Sequence, residues 1–343
     1  MKKEYRNNLL IFILLPVVYL LFGDSNLQPQ DVSKSDIKTT QMDVTDSLTI
    51  EDSHDNENRV MMDTIPKRTK DTYHVPALKT PYHINFAGEP VPIEEPDVRE
   101  RLDRELLVNN YWQSNMILMI KRGYKFFPRI EKILLEYQIP EDFKYLALIE
   151  SGLLNVTSPA GARGYWQLMK ATAREYGLEV NSNVDERLHL ELSTTVACKY
   201  LLKAKERFGN WTLAAASYNR GMYGIARQLK KQDVDDYYSL WLTTETSRYV
   251  FRILAVKEIF ENFDAKYGFQ IDEEDHYHMP TFKRVALDTA ITDLVSFAKN
   301  MGLNYKELKI HNPWLLQDHL KNTSRKDYEI LIPKNHSSSA IGN

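Results

Sequence analysis

Cysteine is almost absent: Cys198 is the only one in 343 residues. A lone thiol excludes an intrachain disulfide and any multi-thiolate metal site. Its place inside a helical apolar pattern reads as a small buried hydrophobe. A dominant charge is missing too, because 44 Lys and Arg nearly cancel 47 Asp and Glu. No general field therefore recruits a polyanion such as nucleic acid. The apolar run from Leu9 to Phe22, broken by Pro16, falls short of the about 20 residues that a bilayer-spanning helix needs. What remains, 43% hydrophobic and 27% charged, is an ordinary globular composition in a chain long enough for one large or two smaller domains.

Lys2, Lys3 and Arg6 ahead of the Leu9–Phe22 run give the charged and apolar regions of a secretory signal. Only Gly23 offers a small residue for cleavage, and no cysteine follows, which excludes a lipoprotein anchor. Residues 1–23 are thus expected to act as a signal peptide or N-terminal membrane anchor. From Asp24 to Val60 acids outnumber bases heavily, and no Phe, Trp or Tyr follows Asp24 until Tyr73. Such a stretch cannot bury enough apolar area to offset its ordering entropy. Residues 24–85 are expected to form a disordered acidic tether.

Beyond about Asp97 the hydrophobic period turns helical, and no comparable strand alternation occurs as far as Gly268. Ile130, Ile133, Leu134 and Tyr137 form one stripe after Pro128. Leu192, Val196, Tyr200, Leu201, Ala204 and Phe208 form another, and Tyr249, Ile253, Val256, Phe260 and Phe263 a further one. The tail differs: Phe282–Asp288 reads as a strand, Asp293–Met301 and Tyr305–Ile310 as helices, and Tyr328–Ile332 as a strand. This predicts a small βααβ module joined to an all-α body through the polar Asp272–Asp275 stretch. His276 and His278 lie in that joint without nearby further ligands, and they read as bystanders rather than metal ligands.

One carboxylate stands out. The helix opened by Pro140 places Phe143, Leu146, Ala147 and Glu150 on one face, so Glu150 ends an apolar stripe in the last turn. Burial and the helix dipole both disfavour an anion there and push its pKa upward. On this helix alone, a proton donor and a salt-bridged or frayed surface acid fit equally well. The following loop, Ser158 to Met169, brings Gly161 and Gly164 for close backbone approach, Trp166 as a stacking face and Gln167 as an amide. Ser217-Tyr218-Asn219-x-Gly221 repeats the combination of small, aromatic and amide residues. An acid beside aromatic platforms and amides is the inventory of a glycan cleft.

Four ordered segments then carry a resemblance: Glu150-Ser151, Gly161-x-x-Gly164-x-Trp166-Gln167-x-Met169, Ser217-Tyr218-Asn219-x-Gly221 and Glu245-Thr246-x-x-Tyr249-Val250. Together they resemble the motif series of family 23 lytic transglycosylases, and within them the membrane-bound lytic murein transglycosylase D group. The match runs from about Phe86 to Phe263. The tail resembles a divergent LysM module, with Asn312-Pro313 and Ile332-Pro333 in place but without the common Gly-Asp-Thr turn.

The resemblance implies a mainly α fold: a lysozyme-like (goose-type or SLT) catalytic domain over 86–270 and a small α+β LysM-like module over 280–335. It implies cleavage of the β-1,4 bond between N-acetylmuramic acid and N-acetylglucosamine, with closure of a 1,6-anhydro ring. Glu150 would act first as acid and then as base. Ser158, Gln167, Tyr218 and Asn219 would position the acetamido and flanking groups, Met169 would wall the cleft, and Glu245 and Tyr249 would complete it. Glu245 fits equally well as a helix N-terminal acid. No metal or cofactor is expected. The expected partner is the peptidoglycan glycan strand, met by a monomer in the periplasm or cell envelope, with membrane contact if the N-terminal segment stays uncleaved. Two rivals stand beside this reading, a goose-type muramidase that uses water and a non-catalytic wall-binding scaffold. With all the proposed chemistry before residue 250, the tail is expected to be dispensable for turnover of short soluble fragments.

Overall fold

The computed structural model describes residues 77–334; the expected signal segment and most of the expected tether lie outside them, as do residues 335–343. Leu78 and Ile84, placed by the sequence reading in the tether, pack against the helical core.

A short hairpin, β1 (Asn85–Phe86) and β2 (Glu89–Pro90), opens the body. Its turn is fixed from both sides by carboxylates. Asp142 accepts the Ala87 N–H at 2.7 Å and pairs with Lys257 at 2.7 Å. Glu89 accepts the Trp211 and Thr212 N–H groups at 2.5 and 2.8 Å. These are the free donors at the start of the helix Trp211–Arg220, where an anion is favoured by the dipole.

Eight helices build the body among the described residues: α1 (Pro96–Tyr111), α2 (Gln113–Glu136), α3 (Phe143–Ser151), α4 (Lys170–Glu175), α5 (Leu190–Phe208), α6 (Trp211–Arg220), α7 (Met222–Gln232) and α8 (Thr244–Glu261). Pro128 lies inside α2, exposed, where water can satisfy the carbonyl left without its N–H partner, and the stripe predicted after it continues a helix already begun at Gln113. The stripe inward of it runs from Met116 and Ile120 through Phe127 to Ile130 and Leu134. Pro140 precedes its helix, which starts at Phe143 after overlapping turns.

The largest departure concerns α3. Every residue of it except Lys144 is buried, so it has no stripe but is apolar nearly all round and sits in the centre, against α2 and α8. A central helix drags whatever it carries into the core, Glu150 included. Around it, Glu105 on α1 is buried and gripped by Arg248 of α8 through bonds of 2.6 and 3.2 Å. Breaking such a buried pair from one side costs about 3–5 kcal/mol. On α6 the run Ala214-Ala215-Ala216-Ser217 is wholly buried, and its small side chains let α5 approach until Tyr200 donates to the Ser217 carbonyl at 2.7 Å.

The tail folds as β3 (Phe282–Leu287), α9 (Leu294–Asn300), α10 (Tyr305–His311) and β4 (Tyr328–Pro333). The strands pair antiparallel from Phe282↔Pro333 to Leu287↔Tyr328. Asp293 caps α9, and Asn304 with Glu307 forms a capping box on α10. The architecture is therefore mainly helical with one small βααβ unit. The Asp272–Asp275 joint lies on α2: Asp275 pairs with Lys121 at 3.3 Å, and the His276 ring stacks on Tyr124 at 3.5 Å between centroids. No helix among the described residues is long and apolar enough to cross a membrane.

Candidate active site

Glu150 occupies the last turn of α3, only 5% exposed. Gly152 at φ 60° caps the helix directly behind it, so the chain turns away at once. Burial, with a smaller push from the nearby Glu245, raises the Glu150 carboxyl to about 7. Two groups hold it back from rising higher: the Tyr249 hydroxyl, which donates to Oε1 at 2.5 Å, and the positive Arg252. Both stand on α8, where their three-residue spacing places them on one face. Arg252 also donates to the Ile149 carbonyl at 3.3 Å. A carboxyl balanced near neutrality can give up a proton and take one back.

Tyr249→Phe is accordingly expected to raise the Glu150 pKa further. A hydrogen bond to a charged group contributes about 1.5–3 kcal/mol, which moves a titration by about 1–2 units. The alkaline limb of any Glu150-dependent activity should shift upward by that amount in a pH–rate profile, and an unmoved limb would remove Tyr249 from this role.

The loop 155–169 forms the neighbouring wall. It is closed on itself by the Ser158 N–H to Ala162 carbonyl bond at 2.8 Å and by the Ala162 N–H to Ser158 Oγ bond at 3.0 Å. Ser158 therefore shapes the loop with its acceptor side. Gln167 is held at φ 45°, and its amide nitrogen donates to the Val156 and Gly164 carbonyls at 3.1 and 2.9 Å. Two carbonyl partners fix which end of the amide is nitrogen. The buried Oε1 is left without a partner among the described residues, an acceptor awaiting a donor. Ser151, beside the acid, donates to the Tyr165 carbonyl at 2.8 Å and so ties this loop to α3.

Trp166 is not the stacking face that its sequence suggests. It is completely buried, with Nε1 donating to Thr194 at 2.8 Å, and it serves the site through its backbone carbonyl, which accepts the Tyr218 hydroxyl at 2.8 Å. Tyr218 is half-buried, and burial, with the Glu150 charge second, holds its hydroxyl well above the ordinary range. Asn219 has both polar atoms engaged: Nδ2 donates to Glu245 at 3.0 Å, and Oδ1 accepts from Thr246 at 2.9 Å. It braces the first turn of α8. Met169, half-buried, is the N-cap residue of α4. The fold thus gathers Tyr249, Tyr218, Glu245 and Arg252 around Glu150, with Asn219 behind Glu245. Ser158 and Gln167 stand on the adjoining loop. Arg252, Thr246 and Ser151 were missed as site residues, although Arg252 could have been found from its i, i+3 relation to Tyr249.

Residues 130–240 match the family model described as "Transglycosylase SLT domain". That match lies within the helical body. Residues 283–336 match the "Soluble lytic transglycosylase C-terminal LysM-like domain". Glu150 through Asn219 fall inside the SLT match, whereas Glu245 and Tyr249 lie just beyond it. Two relatives named membrane-bound lytic murein transglycosylase D, from Escherichia coli strains K12 and O6:H1, are each 30% identical over 205 residues. That alignment covers 58% of this chain and 44% of each relative, so the chain spans less than half the length of the relatives it matches. Among solved structures, the 70 kDa soluble lytic transglycosylase Slt70 of Escherichia coli matches at 19% identity and a TM-score of 0.36, covering 52% of this chain and 33% of that one. An inactive mutant of the lytic transglycosylase Slt from Pseudomonas aeruginosa matches at 20% and 0.32, covering 44% and 26%.

Proposed function

We propose that the protein is a peptidoglycan lytic transglycosylase that cleaves the β-1,4 bond between N-acetylmuramic acid and N-acetylglucosamine and leaves 1,6-anhydromuramic ends. The observation that carries the reading is Glu150: a carboxyl inside an SLT domain, buried, held near pKa 7 and bonded by Tyr249. In its neutral form it donates its proton to the leaving glycosidic oxygen. The substrate's own 2-acetamido group stabilises the positive charge developing at C1, so no enzyme nucleophile is required. The resulting carboxylate, steadied by Tyr249 and Arg252, takes the proton of the C6 hydroxyl as that oxygen attacks C1. Gln167 Oε1, unpartnered and buried, suits the acetamido N–H, with Ser158, Met169, Tyr218, Asn219 and Glu245 shaping the flanking contacts. The chemistry is carried by side chains and substrate groups alone. The same reading places the protein beyond the inner membrane, in the cell envelope, after export by residues 1–23, with the C-terminal module against the glycan.

Digestion of purified sacculi in heavy-oxygen water, followed by mass spectrometry, tests this. The expected products carry anhydro ends and no label at C1. A tethered hydroxyl held against C1 reaches an effective concentration of about 10⁵ M or more in well-oriented cases, which free water does not match. Label in most new ends would mean a goose-type muramidase with Glu150 still the acid, and absence of cleavage would mean a wall-binding scaffold.

A further inference from the structure

Residues 179–188 form a strap with no helix of its own beyond the turn Glu186–Leu188. It is held from two sides. On one side lies the C-terminal module. Val184 and Leu188 are buried in the same apolar cluster as Leu308, Trp314, Leu315 and Ile330. The Asp185 N–H donates to the Trp314 carbonyl at 3.0 Å, the Leu316 N–H to the Asn183 carbonyl at 2.9 Å, and the Lys321 N–H to Asn183 Oδ1 at 2.7 Å. Lys326 pairs with Glu186 at 2.5 Å and Glu179 at 3.1 Å, and the Tyr328 hydroxyl donates to Glu179 at 2.7 Å.

On the other side lies the loop that carries Gln167. Buried Arg187 donates through Nη1 to the Gly161 carbonyl at 2.9 Å and the Leu168 carbonyl at 3.1 Å. Its remaining nitrogens grip Asp185 at 2.9 and 2.8 Å. Asp185 in turn receives Arg163 of the loop at 3.0 Å. Gly164, at φ 82°, lies so close that a Cβ would stand 2.0 Å from the Arg187 carbonyl oxygen. A guanidinium that bridges both ends of the loop, Gly161 and Leu168, restrains the residues between them, and Gln167 is one of these.

We propose that the C-terminal module sets the substrate affinity of the cleft through this strap, with Arg187 as the positioning residue that holds the Gln167 loop in its binding shape. The proposal rests on reading Gln167 as a substrate contact. It makes the module a structural part of the site, in addition to any glycan contact of its own. Because Glu150 stands on α3 and not on the loop, loosening the strap acts on binding more than on proton transfer.

The test measures calorimetric binding of a soluble tetrasaccharide of alternating N-acetylglucosamine and N-acetylmuramic acid, in the full-length Glu150→Gln background, which separates binding from turnover. Arg187→Lys keeps the charge beside Asp185 but loses the fork to two carbonyls. It is expected to weaken binding about tenfold, as for the partial loss of two charge-assisted bonds. With Glu150 intact, KM should rise by a similar factor while kcat falls less than about threefold, with the pH limb in place. Lys326→Ala, at a half-exposed side chain in the other module, is expected to weaken binding about two- to fourfold, because buried Glu186 keeps the Glu179 N–H as a partner. Combined, the two should cost less than the product of their separate effects, since both act through one strap. Unchanged affinity for Lys326→Ala, multiplicative effects, or a KM rise matched by an equal kcat loss would overturn the coupling. Should Arg187→Lys fail to fold, Lys326→Ala decides alone. If the wild-type chain neither binds the tetrasaccharide nor cleaves sacculi, the proposed function itself fails; if it does both and Arg187→Lys binds as tightly as its parent, only this inference falls.

Discussion

Glu150→Gln is expected to lower cleavage by about 10²–10⁴-fold, the usual size of a general-acid effect, and at the same time to make the folded protein more stable above neutral pH. The substitution keeps the shape and an acceptor for the Tyr249 hydroxyl, but has no proton to transfer. Its effect on stability follows from linkage. Glu150 titrates near 7 in the fold against an ordinary 4.5, so between those values the folded chain binds more protons than the unfolded one. Wild-type stability therefore declines as pH rises through that window, and the whole loss is present above about pH 7. A shift of this size corresponds to about 3 kcal/mol. The Gln variant, with nothing to ionise there, escapes the loss. Urea titrations should show the two proteins nearly equal near pH 4 and the variant ahead by about 3 kcal/mol at pH 8. Activity and stability move in opposite directions, which misfolding cannot imitate. Retention of more than about a hundredth of the activity, or a stability gap independent of pH, would remove Glu150 from its role.

What could be read in advance divides along the range of the interactions involved. The βααβ tail was legible because its signals are local: a two-residue period in Phe282–Leu287, Asp293 directly ahead of α9, and Asn304 with Glu307 on α10. Glu150 was legible as an acid among apolar neighbours. The reason for its burial was not, because a stripe on one helix looks the same whether its other face meets water or α8. Trp166 beside Gln167 suggested a platform, yet the Thr194 hydroxyl that receives its N–H is 28 residues away and turns the ring into core. The Tyr249 bond to Glu150 spans 99 positions, and only resemblance pointed to it. Nothing local marks the strap either. The partners of Asn183 and Glu186 lie about 140 residues further on. Gly164 illustrates the same limit: the sequence announces a close backbone approach, but not that its partner is the carbonyl of Arg187.

Removal of residues 281–343 is therefore expected to disable the helical body and not only its hold on the wall. The order of motifs along the chain, with every proposed catalytic group before residue 250, argues for a tail that can be cut away. The packing argues otherwise. Truncation uncovers Val184 and Leu188, now wholly or nearly wholly buried, and each such side chain brings about 1.5–3 kcal/mol by burial. It also strips Lys326 from buried Glu186 and the Tyr328 hydroxyl from Glu179. A loss of about 4–6 kcal/mol lowers the melting temperature of a body this size by about 10–20 °C. The strap then releases Gly161 and Leu168, and kcat/KM for a short soluble tetrasaccharide should fall by about 10² or more, chiefly through KM, since misplacing a positioning loop by an ångström has an effect of that size. Thermal melts followed by circular dichroism, set beside turnover of the tetrasaccharide by full-length and truncated chains, decide the matter. A truncated body that melts within a few degrees of the full chain and still turns over the fragment would show the strap to stand unaided, and the module would return to the role of a wall anchor.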